Sequence, residues 1–114
     1  MSHAVVFPPV TDELLAEIVQ GILSVGSPER IVMFGSRARG DARPDSDLDL
    51  LIVEESAVPR YRRAARYYLA LVGVFPSKDI VVWTPEEVDD WREVPNFFVT
   101  TALWEGKTLY ARSR

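Results

Sequence analysis

The strongest constraint on this chain is a pair of short apolar runs, Arg30 to Phe34 (RIVMF) and Asp47 to Val53 (DLDLLIV). Both are too short for a core helix and rich in branched side chains, so each reads as a buried strand. Strand alternation puts Leu48, Leu50 and Ile52 on one face of the second run and Asp47 and Asp49 on the other. The link between the runs opens on Gly35-Ser36 and contains Gly40 and Pro44, all turn formers. It is either an antiparallel loop carrying one helical turn or a crossover, and the sequence leaves both open. A third run, Asp79 to Trp83 (DIVVW), repeats the pattern of an aspartate followed by strand-forming residues.

Helices are expected between and around these strands. Leu14, Leu15, Ile18, Val19 and Ile22 recur at helical spacing within Thr11 to Val25. Thr11 suits the N-cap, Asp12 and Glu13 suit the first turn, and Gly26-Ser27-Pro28 stops the helix. Arg60 to Val74 reads as a helix with Tyr61, Ala64, Ala65, Tyr68, Leu71 and Val72 inward, reached through a connection from Glu54 to Pro59. Thr84-Pro85-Glu86-Glu87 starts a short helix, with Thr84 and Glu87 as a capping box and proline at the first helical position. Pro95 is expected to open a last helix over roughly Asn96 to Trp104, ended by Gly106. Lys107 to Ala111 then reads as extended. The order predicts an α/β (α+β) domain, a small mixed sheet with helices packed on it.

The chain has 114 residues, enough for one domain, taken as 1–114. It has no cysteine, which excludes a disulfide framework, a thiolate zinc site and cysteine nucleophilic catalysis. No signal-like N-terminus and no run of membrane-spanning length is expected, and a cytoplasmic setting is consistent with this. The formal net charge is −4, which disfavours bulk nucleic-acid binding. An acidic protein that handles phosphate needs positive charge from elsewhere, and bound metal ions are the natural source.

Three features carry that chemistry. Glycine at 35 lets a phosphate approach the backbone, and amides at a helix start with the Ser36 hydroxyl can hold it. Asp47 and Asp49 share a strand face with Cα atoms roughly 6–7 Å apart. Two such carboxylates repel unless a cation lies between them, and hard cations such as Mg²⁺ take carboxylate and phosphate oxygens together. Asp79 brings a third carboxylate if its strand neighbours that of Asp47. It would complete a second metal site or accept the proton of an attacking hydroxyl. Each feature alone has an ordinary explanation: a Gly-Ser turn, a solvated strand end, a strand-start aspartate facing water.

Together they form a pattern: Gly-Ser, ten residues, then Asp-x-Asp between two apolar strands. The pattern resembles the nucleotidyltransferase superfamily related to DNA polymerase β. The fuller string GSRARGDARPDSDLDLLIV is similar to the minimal nucleotidyltransferase group, and the resemblance extends through Asp79 to the ending WEGKTLYA. It implies that Gly35 and Ser36 hold a nucleoside triphosphate, that Asp47 and Asp49 bind two Mg²⁺, and that Asp79 is a further metal ligand and general base. Arg39, Gly40 and Asp41 match the group's extension. Arg39 has two readings: a phosphate partner, as its planar guanidinium suits, or a pin that holds the loop through Asp41 or Asp45. Ser46 is read as structural, bonding within the loop.

The resemblance further implies AMP transfer from ATP to an acceptor hydroxyl, in particular a tyrosine of a cognate HEPN-domain toxin, with this chain as antitoxin. Larger relatives use extra helical domains to hold base and acceptor, so a partner would supply that surface here. Two other functions compete: an antitoxin that neutralises its HEPN partner by binding alone, and a nucleotidyltransferase acting on RNA or small molecules. The basic cluster Arg60, Arg62, Arg63 and Arg66 reads more readily as a solvated helix face than as a binding site. Trp83, Trp91, Trp104, Phe97, Phe98 and Tyr110 read as core or interface, one of Tyr67 and Tyr68 should face outward, and His3 is not expected to be a ligand. The bulky segment FFVTTALW suggests an oligomer or partner interface.

Overall fold

The computed structural model describes residues 7–91, 94 and 98–113. Helix α1 (Asp12–Leu23) starts where expected, with the Leu14 amide donating to the Thr11 hydroxyl at 3.1 Å. Strands β1 (Arg30–Phe34) and β2 (Leu48–Val53) follow, joined by a single helical turn, α2 (Ser36–Arg39). The pair is antiparallel, Ile31 opposite Ile52 and Phe34 opposite Asp49, so the link is a loop with one turn and not a crossover. A 3-10 turn at Arg60–Arg62 and helix α3 (Ala65–Ala70) lead to β3 (Lys78–Trp83), which lies parallel to β2. Helices α4 (Pro85–Trp91) and α5 (Phe98–Glu105) precede β4 (Lys107–Ala111), which pairs antiparallel with β1. The sheet order is β3-β2-β1-β4. Pro95, Asn96, Phe97 and His3 lie outside the described residues, as does the Phe98 side chain.

Both faces of the sheet are covered. Ile18 and Ile22 of α1, Tyr67 of α3 and Leu71 just past its end pack on Leu48, Leu50 and Ile52. Val88 of α4 and Ala102 of α5 pack on Val32, Leu51, Val53 and Trp83. The run LLIV is continuous for this reason: past Asp49, a central strand must be apolar on both sides. The aspartate face of β2 is therefore a core face that ends in charge.

The segment after residue 60 corrects the expectation of one continuous helix. Leu71 is buried and Ala64 packs against the core, but Tyr61, Val72 and Tyr68 are 86%, 75% and 41% exposed. The 3-10 turn advances by three residues per turn, so the 3.6-residue phase is lost before α3 begins. Tyr67 turns inward instead, completely buried. Its hydroxyl donates to Glu54, which also accepts from Arg66 and, at 2.7 Å, from the Ser27 amide. Glu54 is itself 5% exposed, so the residue expected to begin a connection is a buried, fully partnered carboxylate. Burial, and then the Glu54 bond, push the Tyr67 hydroxyl pKa well up.

The basic cluster is also not a simple solvated face. Arg63 Nη1 donates to Glu87 at 2.6 Å, and its Nε donates to the Val58 carbonyl at 2.7 Å. Arg60 reaches the other Glu87 oxygen at 2.9 Å and lies over the Trp83 ring at 4.2 Å. Arg66 pairs with Glu54. Three of the four arginines thus tie helices to the sheet, although Arg60 and Arg66, like Arg62, keep exposed side chains. Of the tryptophans, Trp83 is core, whereas Trp104 is 78% exposed.

Glu87 closes the capping box, its carboxylate accepting from the Thr84 amide at 2.8 Å while its own amide donates to the Thr84 hydroxyl at 3.2 Å. Burial would raise its pKa, but the bonds from Arg63, the Thr84 backbone and Arg60 hold it down to about 2. A carboxyl depressed in the folded state stabilises above its unfolded value and loses that effect as pH falls. Glu87→Gln should therefore cost about 1–3 kcal/mol at neutral pH. Thermal melts of both proteins should show the gap closing as pH falls from 4.5 to about 2.

Candidate active site

The site forms where β1 runs into α2. Gly35 has φ 73° and ψ −157°, a region open essentially to glycine alone. A Cβ built there would lie 2.1 Å from Asp49 Oδ2. The glycine thus meets two demands: it makes the turn, and it makes room for the carboxylate of the neighbouring strand. Within α2 the helical bonds begin with the Ala38 and Arg39 amides donating to the Gly35 carbonyl at 3.0 Å. The amides of Ser36 and Arg37 lie ahead of them at the helix start. Gly40 ends the turn in the left-handed conformation, φ 86°.

Asp49 lies opposite Phe34, the residue before Gly35, and beside Asp79 on β3. Parallel register gives the two aspartates one sheet face, with backbones about 4.8 Å apart. Asp49 is partly buried; Asp47, just ahead of β2, and Asp79 are exposed. Burial pushes the Asp49 carboxyl above its usual range, the Asp79 and Asp47 charges push it further, and Arg39 opposes them. The three carboxylates therefore share one electrostatic neighbourhood.

Among the described residues, no three acidic or histidine side chains close into a complete metal-ligand set. Mg²⁺ does not require one, because it typically takes one or two carboxylates and completes its shell with water and substrate phosphate. The donors here are all oxygen, they repel one another, and Asp49 packs against a turn that only glycine can make. These properties fit a Mg²⁺–phosphate site that is open on its substrate side.

Of the two readings of Arg39, the loop pin is weak: its Nε lies 3.4 Å from Asp41, both side chains are about half exposed or more, and such a pair contributes about 0–1 kcal/mol. The loop is held by Arg37, which the sequence did not single out. Its Nε and Nη2 donate to the Ser46 carbonyl at 3.1 and 2.8 Å, and Nη2 also reaches the Pro44 carbonyl at 3.3 Å. The signal was faint: two arginines flank Ala38, and nothing local says which turns back. Ser46 has the structural role expected, its hydroxyl accepting from the Arg43 amide at 2.8 Å.

The family model of the nucleotidyltransferase domain matches residues 13–103. The chain belongs to the nucleotidyltransferase domain family. No curated protein matches it significantly. Solved structures agree with this nucleotidyltransferase domain in fold. A candidate nucleotidyltransferase from Sulfolobus solfataricus is 21% identical, TM-score 0.55, over 89% of this chain and 77% of its own. A toxin–antitoxin structure with AMP-PNP is 17% identical, TM-score 0.54, over 90% and 75%. A toxin–antitoxin MntA-HpeT variant with two aspartates replaced by glutamate is 15% identical, TM-score 0.54, over the same shares.

Two glycines of the nucleotidyltransferase turn should respond differently to a methyl group. Gly35→Ala meets both backbone strain and Asp49, whereas an added Cβ at Gly40 meets nothing within 4 Å. Denaturant unfolding should show a loss of about 1 kcal/mol for Gly40→Ala and clearly more for Gly35→Ala.

Proposed function

We propose that this nucleotidyltransferase domain moves AMP from ATP to an acceptor hydroxyl, and that the acceptor is a tyrosine of a HEPN-domain toxin for which it is the antitoxin. The observation that carries the reading is the register of Asp49 beside Asp79, directly against the Gly35-Ser36 turn. Gly35 and Ser36 hold the triphosphate through backbone amides and hydroxyl, and Arg39 balances its charge from the open side. Asp47, Asp49 and Asp79 would hold two Mg²⁺, which when bound neutralise the phosphates and stabilise the departing pyrophosphate. Asp79, exposed at the edge strand, accepts the proton of the acceptor hydroxyl. The new bond joins the acceptor oxygen to the α-phosphorus, the bond from α-phosphorus to the bridging oxygen breaks, and pyrophosphate leaves.

Two features support a protein partner. The similar folds include toxin–antitoxin structures, one of them with AMP-PNP. Tyr61, Leu69 and Val72, in the segment around α3, are each at least 75% exposed, which suits a surface covered by another chain. A second reading, neutralisation by binding alone, draws on the same exposed apolar side chains and needs no carboxylate chemistry.

Intact mass of the HEPN partner after incubation with ATP and Mg²⁺ separates the two. One or more AMP units should be added by the wild type and none by Asp49→Asn, with neutralisation lost in parallel. If Asp49→Asn still neutralises and the wild type adds no mass, the transfer reading fails and the binding reading stands.

A further inference from the structure

We infer that Arg37 is a positioning residue that sets Asp47 relative to the Gly35-Ser36 turn. The inference rests on the nucleotidyl transfer proposed above and adds a residue to it.

Asp47 needs such a device because the sheet does not hold it. The ladder between β1 and β2 ends at the pair Phe34–Asp49, and that between β2 and β3 ends at Leu48–Lys78. Leu48 is anchored, its amide donating to the Ser77 carbonyl at 2.9 Å. One residue upstream, neither ladder pairs Asp47, and its side chain is exposed. The peptide that precedes it is the one whose carbonyl, on Ser46, receives both Arg37 nitrogens. The chain on either side of Asp47 is therefore fixed, on one side by β3 and on the other by α2.

The position of Arg37 separates it from a substrate contact. It lines a cleft of about 240 Å³ with Val10, Leu15, Met33, Ala42 and Lys107. Leu15 and Met33 belong to the core under α1, on the sheet face opposite Asp49. Arg37 thus grips the loop from the sheet face away from Asp49, whereas the exposed Arg39 makes a 3.4 Å contact with Asp41. Its fork also explains the residue type. Nε and Nη2 lie on one edge of a rigid plane and converge on one oxygen, which a lysine ammonium on a flexible stem does not reproduce. Because Arg37 follows Ser36 in α2, the phosphate-holding turn and Asp47 move as one body. An error of 1 Å in such a constellation costs on the order of a hundredfold in rate.

The test uses the purified chain, Mg²⁺ and an ATP analogue with a methylene bridge between α- and β-phosphorus, so no acceptor is needed. Calorimetry measures analogue binding across a Mg²⁺ series for wild type, Arg37→Ala, Arg37→Lys and Asp49→Asn. The Mg²⁺ midpoint of Arg37→Ala should rise by about tenfold or more while metal-free analogue binding stays within about twofold. Arg37→Lys should lie between, and added methylguanidinium should draw Arg37→Ala back toward wild type. If Arg37→Ala does not fold, Arg37→Lys carries the test: a raised midpoint supports the role, and a lower melting temperature with a wild-type midpoint overturns it. If Asp49→Asn loses binding but every Arg37 variant keeps the wild-type midpoint, positioning is overturned and nucleotidyl transfer is untouched. If the wild type does not bind the analogue with Mg²⁺, the nucleotidyl-transfer reading fails and the role of Arg37 falls with it.

Discussion

The carboxylate of Asp49 occupies space that a side chain at residue 35 would otherwise fill, and much of the molecule follows from that exclusion. The turn after β1 must be glycine in a left-handed conformation, so the chain can reverse direction against β2 without pushing Asp49 away. The reversal makes β1 and β2 antiparallel neighbours and leaves the other edge of β2 for β3. Parallel pairing at that edge then brings Asp79 level with Asp49. Partial burial and two like charges raise the cost of ionising Asp49, a cost that a cation would offset.

The other charges serve the fold. Glu54 and Glu87 are each taken up by arginines from the segment after β2, and each also accepts a backbone amide. Glu54 is buried and Glu87 partly buried, and such carboxylates are tolerable only when their oxygens are satisfied, as these are. The consequence is a division of labour. Arg63, Arg66, Glu54 and Glu87 lock α3 and α4 to β2 and β3, while Asp47, Asp49, Asp79 and Arg39 keep exposed or partly exposed side chains at the end of the sheet beside α2. Arg37 belongs to the first group by its bonds and to the second by what those bonds hold.

Much of the architecture was legible because its signals are local. The bounds of β1 match the apolar run residue for residue, and Thr11 and the Thr84–Glu87 box cap the helices as their chemistry requires. The inward face of α3 was not legible, because a 3-10 turn shifted its phase and a buried partner, Glu54, drew in Tyr67 and not Tyr68. Nor was the second covered face of β2, since Leu51 and Val53 share their side with the aspartates and only α4 and α5 reveal that it is core.

By itself, then, the sequence determined the strands, the caps and the spacing of Gly35-Ser36 from Asp47 and Asp49, because each depends on residues close along the chain. The tertiary structure alone decided that Asp79 stands beside Asp49, that Arg37 rather than Arg39 grips the loop, and that three of the four clustered arginines are bound into the fold. Those outcomes are pairings between distant segments, and a side chain's charge or hydrogen-bonding capacity does not say which distant group will meet it until the sheet has set its register.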